Sequence, residues 1–219
     1  MATGIETRTL GSLFPGMENT RIEISDFGFP FLNLDHAVNC PTSLVVLLLL
    51  VKHQQCKHVF EIGTNLGQST AALAANTPSD AQIITLDLGD ERFWNANPSL
   101  QKLRETHSVS DVVGTRFRNQ PHSEKIQQLW VGQTDLVQFY GKMDCVYVDA
   151  DHAGPGLAAD TELAFKLVAP GGWIVWDDFG KVSALTSYLS DLSSRFSLKH
   201  VRATEIVLYA APQLNASSN

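Results

Sequence analysis

The sequence predicts an α/β domain: a doubly wound, mostly parallel seven-stranded sheet with helices on both faces and a C-terminal antiparallel hairpin. Three observations predict it. Short apolar runs rich in β-branched residues alternate with helical stretches from Pro41 onward. A glycine-rich turn, Gly63-Thr64-Asn65-Leu66-Gly67, joins the first of these strands to a helix start. Acids close one strand after another: Glu61, Asp87, Asp149 and the pair Asp177-Asp178. Ligands of open α/β sheets bind beyond the carboxyl ends of the strands, so these acids mark one functional edge.

Residues 1–35 carry no regular period and read as an N-terminal arm. Its aromatics, Phe14, Phe27, Phe29 and Phe31, either anchor the arm or make it a lid over a pocket. A helix follows near Pro41–His53. Its apolar run Leu44–Val51 is far shorter than the roughly 20 residues of a membrane span, so it is a buried helix. Strand 57–62 leads into a helix from Gly67 to about Ala75, then strand 82–87 and a polar stretch, 96–107, read as helical. Strands near 127–132 and over 143–149 come next, followed by helix 156–168 with its apolar face of Leu157, Leu163, Ala164 and Leu167. Pro170-Gly171-Gly172 reads as a turn before strand 173–177. A helix near 181–192 and strands near 195–200 and 204–210 complete the sheet, the last two as the hairpin. No linker or repeat divides the chain, so 36–212 is one domain and 213–219 a flexible tail.

Composition narrows the function. The 219 residues suffice for one sizeable core, and a hydrophobic share of 44% excludes a disordered chain. A net charge of -7 with scattered basic residues argues against nucleic acid. The expected partner is a small hydroxyl-bearing molecule, with no nucleic acid and no membrane; a homodimer is left open. Cys40, Cys56 and Cys145 are odd in number and lack metal-ligand spacing, which fits a reducing, cytoplasmic compartment. The first residues show no basic-then-apolar secretory signal, so the sequon Asn215-Ala216-Ser217 carries no weight.

The turn reads Glu-x-Gly-x-x-x-Gly, which is neither the dinucleotide fingerprint nor a P-loop, and the spacing disfavours an NAD-dependent dehydrogenase. Gly63 and Gly67 let the main chain approach a ligand with no Cβ between. Glu61, Gly63, Thr64, Asn65, Gly67 and Ser69 are candidate cofactor contacts, with Glu61 either holding the loop or meeting a cofactor amine. Asp87, ending the next strand, is placed to accept both ribose hydroxyls, or else caps a helix. Crowded carboxylates repel unless a cation or hydrogen bonds offset them. Asp149, Asp177 and Asp178 are therefore candidate ligands of Mg²⁺ or a similar divalent cation, or else serve as caps and turn acceptors. His152, three residues after Asp149, is the candidate general base, or else a loop histidine that only hydrogen-bonds.

These motifs resemble known proteins. Glu61-x-Gly63-x-x-x-Gly67 is similar to motif I of class I S-adenosylmethionine-dependent methyltransferases. Asp149-Ala150-Asp151-His152, Asp160-Thr161-Glu162, Pro170-Gly171-Gly172 and Trp176-Asp177-Asp178-Phe179 resemble the metal-dependent small-molecule O-methyltransferases of methyltransferase family 24. The resemblance spans about 57–180 and implies the class I methyltransferase fold. It also implies S-adenosylmethionine as cofactor, metal roles for Asp149, Asp177 and Asp178, and catalytic roles for His152 and Asp149. Asp149 would border the cofactor as well. Gly132-Gln133-Thr134 replaces the family's frequent Gly-Asp-Ser, and Gln133 is expected at the adenine edge. After His152, Ala153-Gly154-Pro155-Gly156 replaces the family's frequent Ser-Tyr and reshapes the loop beside the reacting atoms. The expected activity is metal-assisted O-methylation of a small molecule, in keeping with a natural product. The rivals are a non-methylating cyclisation, elimination or rearrangement on the same scaffold, and a ligand-binding protein without catalysis.

Overall fold

Alternate residues of each central strand face opposite sides of the sheet, and every one of these side chains is wanted inside. The result in the computed structural model, which describes residues 4–23 and 41–213, is a sheet sandwiched between two apolar layers. The elements are β1 (Glu6–Arg8), α1 (Leu10–Leu13), α2 (Pro41–His53), β2 (His58–Ile62), α3 (Gln68–Asn76), β3 (Gln82–Asp87), α4 (Arg92–Ala96) and α5 (Val109–Val112). They continue with β4 (Ile126–Trp130), β5 (Met143–Val148), α6 (Gly154–Leu167), β6 (Val168–Trp176), α7 (Ser183–Leu192), β7 (Leu198–Val201) and β8 (Val207–Ala210).

Val59, Cys145, Tyr147 and Val175 face α2 and α3, where they meet Leu47, Leu50 and Leu73. Their neighbours Phe60, Val146, Val148, Ile174 and Trp176 face α6 and α7, against Leu157, Leu167, Leu185 and Leu189. Leu47, Leu48, Leu50 and Val51 are wholly buried, as the apolar run requires of a covered helix. Among the described residues, no helix is long and apolar enough to cross a membrane.

The strand order is β1-β7-β8-β6-β5-β2-β3-β4. β2 pairs in parallel with β3 on one side and β5 on the other, so the order reverses between β2 and β5. β8 runs antiparallel between β6 and β7, which is the expected hairpin.

The sheet has one strand more than the seven expected. Glu6–Arg8 adds at the edge, parallel to β7, with Glu6 ion-paired to Lys199. Three polar residues give no readable strand period, and β1 is held at the edge by backbone pairing with β7 and by polar side-chain contacts. Phe14 and Met17 of the same arm are buried, and Phe14 lies against Trp173 with ring centroids 4.9 Å apart. Phe14 thus anchors rather than covers a pocket. Phe27, Phe29, Phe31, Cys40, Asn215 and most of the expected tail lie outside the described residues.

One further expectation is sharpened and another corrected. The stretch 96–107 is not an α-helix: α4 ends at Ala96, and Pro98–Glu105 winds as a 3₁₀ helix. Pro98 disfavours helical geometry at the residue before it, and Asn97 sits at φ -121°, ψ 70°. Pro170-Gly171-Gly172 is not a turn before a strand but an irregularity within β6, where the register with β5 shifts between Met143 and Cys145.

Candidate active site

The reversal in strand order leaves a crevice beyond the carboxyl ends of β2, β3 and β5. A cavity of about 240 Å³ fills it, lined on one side by Gly63, Asn65, Ser69 and Asp87 and on the other by Asp149, His152, Asp160 and Asp178.

The glycine turn forms the first half. Gly63 has φ +104°, and a Cβ there would stand 2.2 Å from the Asp149 carbonyl oxygen, so only glycine lets β2 and β5 meet at this point. Gly67 (φ +84°) precedes α3 and is covered by Phe117, whose ring carbon would lie 2.5 Å from a Cβ. It shapes the turn from behind and does not line the cavity. No side chain caps the first turn of α3, so its N–H groups stay open towards the cavity beside Gln68 and Ser69.

Glu61 supports this turn from beneath. It is fully buried and its carboxylate accepts from the Ser69, Thr70 and Thr85 hydroxyls, the last at 2.7 Å. Burial pushes its carboxyl up to about 7, against the pull of those three donors. Of the two roles open to Glu61, loop support is the one its surroundings favour; direct cofactor contact is not, because no part of it is exposed.

Asp87 Oδ2 accepts from the Asn65 N–H and Oδ1 from the Leu88 N–H, both at 2.6 Å, which aims the carboxylate along the cavity wall. Burial raises its pKa. The Asn65 amide donates to Asn97 Oδ1 at 3.2 Å, clasping the turn to the segment after α4. Its own Oδ1 is buried in the wall without a hydrogen-bond donor, an acceptor that a bound ligand's N–H or O–H would satisfy. Thr64 also lines the cavity and bonds to Thr85 at 2.7 Å. Gln133 is exposed in the turn after β4 and does not line the cavity; Val131 occupies that wall instead. The expected adenine contact therefore lacks support, because the chain turns at Gly132 and carries Gln133 outward.

The acids of β5 and β6 form the second half. His152 Nε2 stands 2.7 Å from Asp178 Oδ2 and 3.7 Å from Asp149 Oδ1. The 2.7 Å contact pairs the imidazole with the Asp178 carboxylate as an ion pair. Asp178 Oδ1 takes the Lys181 ammonium at 2.7 Å. Burial pushes Asp178 up, but His152 and Lys181 outweigh it and hold the carboxyl at about 2. Asp149 goes the other way: burial drives it up to about 6, with the Asp177 and Asp178 charges adding to the rise. The Asp149 and Asp178 carboxylates raise the His152 imidazole to about 10. His152 thus holds its proton at neutral pH.

The three expected metal ligands do not converge. Ligand atoms of Asp149, His152 and Asp178 lie within 4.8 Å of one another, and those of Asp177, Asp178 and Glu205 make a second group. Asp177 does not line the cavity: Asp178 N–H (2.9 Å), the Tyr147 hydroxyl (2.9 Å) and Ser43 occupy its oxygens. Two carboxylates facing the cavity suit a hard divalent cation, so Asp149 and Asp178 could hold one, with His152 beside them.

Sequence reasoning passed over Tyr147, Lys181 and Asn97, and met Asp160 only as part of the family motif Asp160-Thr161-Glu162. Asp160 lines the cavity, accepts from the Asp151 N–H at 3.2 Å, and is pushed by burial to about 6. The two-residue strand period was the signal for Tyr147, since it places that side chain on the face of Asp149. Nothing in the local sequence marks Lys181 or Asn97.

A family model described as a methyltransferase domain matches residues 60–179, more than half of the chain and all of the strand ends just described. The chain belongs to this methyltransferase family, family 24. It is 29% identical over 174 residues to tricin synthase 1 of Oryza sativa subsp. japonica, covering 78% of this chain and 65% of the relative. It is 29% identical over 132 residues to caffeoyl-CoA O-methyltransferase 2 of Zea mays, covering 60% of this chain and 46% of the relative. The chain thus spans between about half and two thirds of the length of these relatives. The O-methyltransferase TomG from Streptomyces achromogenes, in complex with S-adenosylmethionine, superposes with a TM-score of 0.54 at 20% identity, covering 93% of this chain and 96% of that one. The fold is that of the class I methyltransferases.

Proposed function

We propose that this family member transfers a methyl group from S-adenosylmethionine to a hydroxyl of a small molecule, with a divalent cation at the acceptor. The observation that carries the reading is one continuous cavity lined by the Asp87 carboxylate as well as by Asp149, His152 and Asp178. A cofactor lying along β2 would offer its ribose to Asp87 and its amino-acid end to the glycine turn and the open first turn of α3. Two relatives are named as O-methyltransferase and tricin synthase, which supports oxygen as the acceptor atom.

Asp149 and Asp178 would hold the cation, with Asp177 behind them. Bound there, a divalent cation supplies Lewis-acid polarisation of the acceptor hydroxyl. With such a cation offsetting Asp149 and Asp178, the His152 imidazole would return towards its ordinary range, and Nε2 would be the acceptor of the hydroxyl proton. Asp87 and the glycine turn hold the methyl donor in line, which supplies much of the acceleration through positioning. A natural product is the acceptor class we favour, and the cytoplasm the compartment, on the cysteine usage.

The test incubates the chain with S-adenosylmethionine and caffeoyl-CoA or caffeic acid, with Mg²⁺ or with a chelator, and follows S-adenosylhomocysteine. Product that depends on Mg²⁺ and is lost in His152→Ala is the expected result. Methylation undiminished in His152→Ala removes the base role. Cofactor binding without S-adenosylhomocysteine, across a panel of hydroxylated acceptors, favours a non-methylating reaction.

A further inference from the structure

Asp177 ends β6 beside the cavity yet does not reach it, and Tyr147 accounts for this. Tyr147 lies on β5 with its ring in the layer under α2 and α3, wholly buried. Its hydroxyl stands 2.9 Å from Asp177 Oδ2 on the neighbouring strand and 3.1 Å from Asp149 Oδ2 two residues along its own. Asp177 is immobilised from other directions too: Asp178 N–H binds Oδ1 at 2.9 Å, and Ser43 in the first turn of α2 adds a hydroxyl. Ser43 in turn accepts the Glu205 N–H at 3.1 Å, tying the loop before β8 to the same point. Asp177 is therefore a fixed post, anchored to three elements.

We propose that Tyr147 is the positioning residue of the acceptor site: its hydroxyl ties Asp149 to the fixed Asp177 and so sets the Asp149 carboxylate that faces the cavity. Two carboxylates at adjacent strand ends repel, and a donor between them offsets that repulsion. A phenol supplies one hydrogen, shared between the two oxygens, on a rigid ring that the core already locks. With Oδ2 held, Oδ1 is left on the His152 side, 3.7 Å from Nε2. A phenylalanine fills the same space without the donor. Reactive constellations tolerate displacements of only about 0.5 Å, so loss of this tether acts on chemistry before it acts on the fold.

The proposal rests on the O-methylation reading for its catalytic readout but not for its geometry, and the experiment separates them. Tyr147→Phe is compared with wild type in the full chain. Mg²⁺ alone, titrated by calorimetry, binds about tenfold more weakly to the variant, the loss of one hydrogen bond to a charged group. S-adenosylmethionine affinity is unchanged, because the hydroxyl does not line the cavity. With caffeic acid as the acceptor probe, kcat falls about tenfold while KM for S-adenosylmethionine stays the same. Unchanged Mg²⁺ affinity and unchanged kcat overturn the proposal. Loss of S-adenosylmethionine binding also overturns it, since the hydroxyl would then support the whole sheet. If wild type neither binds Mg²⁺ nor methylates the probe, the O-methylation reading falls and crystal structures of the two proteins decide. A displaced Asp149 carboxylate in Tyr147→Phe supports the tether, and an unmoved one overturns it.

Discussion

Glu61→Gln gives a direct measure of what the buried acid under the glycine turn contributes. Glu61 is fully buried, and its carboxyl is raised from the ordinary 4.5 to about 7. Between these values the folded chain holds a proton that the unfolded chain releases. Stability from this group is thus fully present below pH 4.5 and lost as the pH rises through 7. Integrated from pH 5 to pH 8, that loss is about 2.5 kcal/mol. Glutamine is nearly isosteric and does not titrate, so the variant lacks this component. Its stability relative to wild type improves by about 2.5 kcal/mol over the same interval, even if it is the less stable protein at pH 5. Urea unfolding of both proteins at several pH values reads the difference, with equal m-values confirming a common unfolding transition. A wild-type-minus-variant difference that stays flat from pH 5 to pH 8 refutes the reasoning, and Glu61 would then remain ionised throughout.

Four further outcomes follow from the same geometry. Asp87→Ala removes the proposed ribose acceptor and is expected to weaken S-adenosylmethionine binding about a hundredfold by calorimetry, the loss of two hydrogen bonds to a charged group. Gly63→Ala sets a Cβ 2.2 Å from the Asp149 oxygen at φ +104° and lowers Tm by about 10 °C in a thermal melt. Lys181→Met releases one of the two cations that hold Asp178 near 2. Because a depressed acid stabilises above its unfolded pKa and loses that stability as the pH falls, the gap between wild type and variant in urea unfolding is wide at pH 6 and narrows towards pH 3. Chelation with EDTA abolishes methyl transfer to caffeic acid while S-adenosylmethionine binding persists, and added Mg²⁺ restores turnover.

The legible parts of this chain were those encoded locally. Strand 82–87 and helix 41–53 agree with β3 and α2, because strand period, apolar runs and flanking turns act within a few residues. The strand-end acids and the glycine turn were visible for the same reason, and the parallel-sheet rule brought them to one edge. β1 was not legible, since its three polar residues acquire strand geometry only from β7, some 190 residues away in sequence. The stretch 96–107 is helical as expected, but as a 3₁₀ helix over Pro98–Glu105, since Pro98 disfavours helical geometry at Asn97.

The sequence by itself therefore determined the sheet, its functional edge and the residue types brought there, because each depends on short-range pattern. Only the tertiary structure decided which acid does what. Glu61 is turned beneath the loop by three hydroxyls from α3 and β3, while Asp177 is drawn away from the cavity by Tyr147 and Ser43. Asp149 and Asp178 are left facing His152. Carboxylates of identical chemistry take different roles according to the donors and the burial that distant strands and helices supply, and no local pattern carries that information.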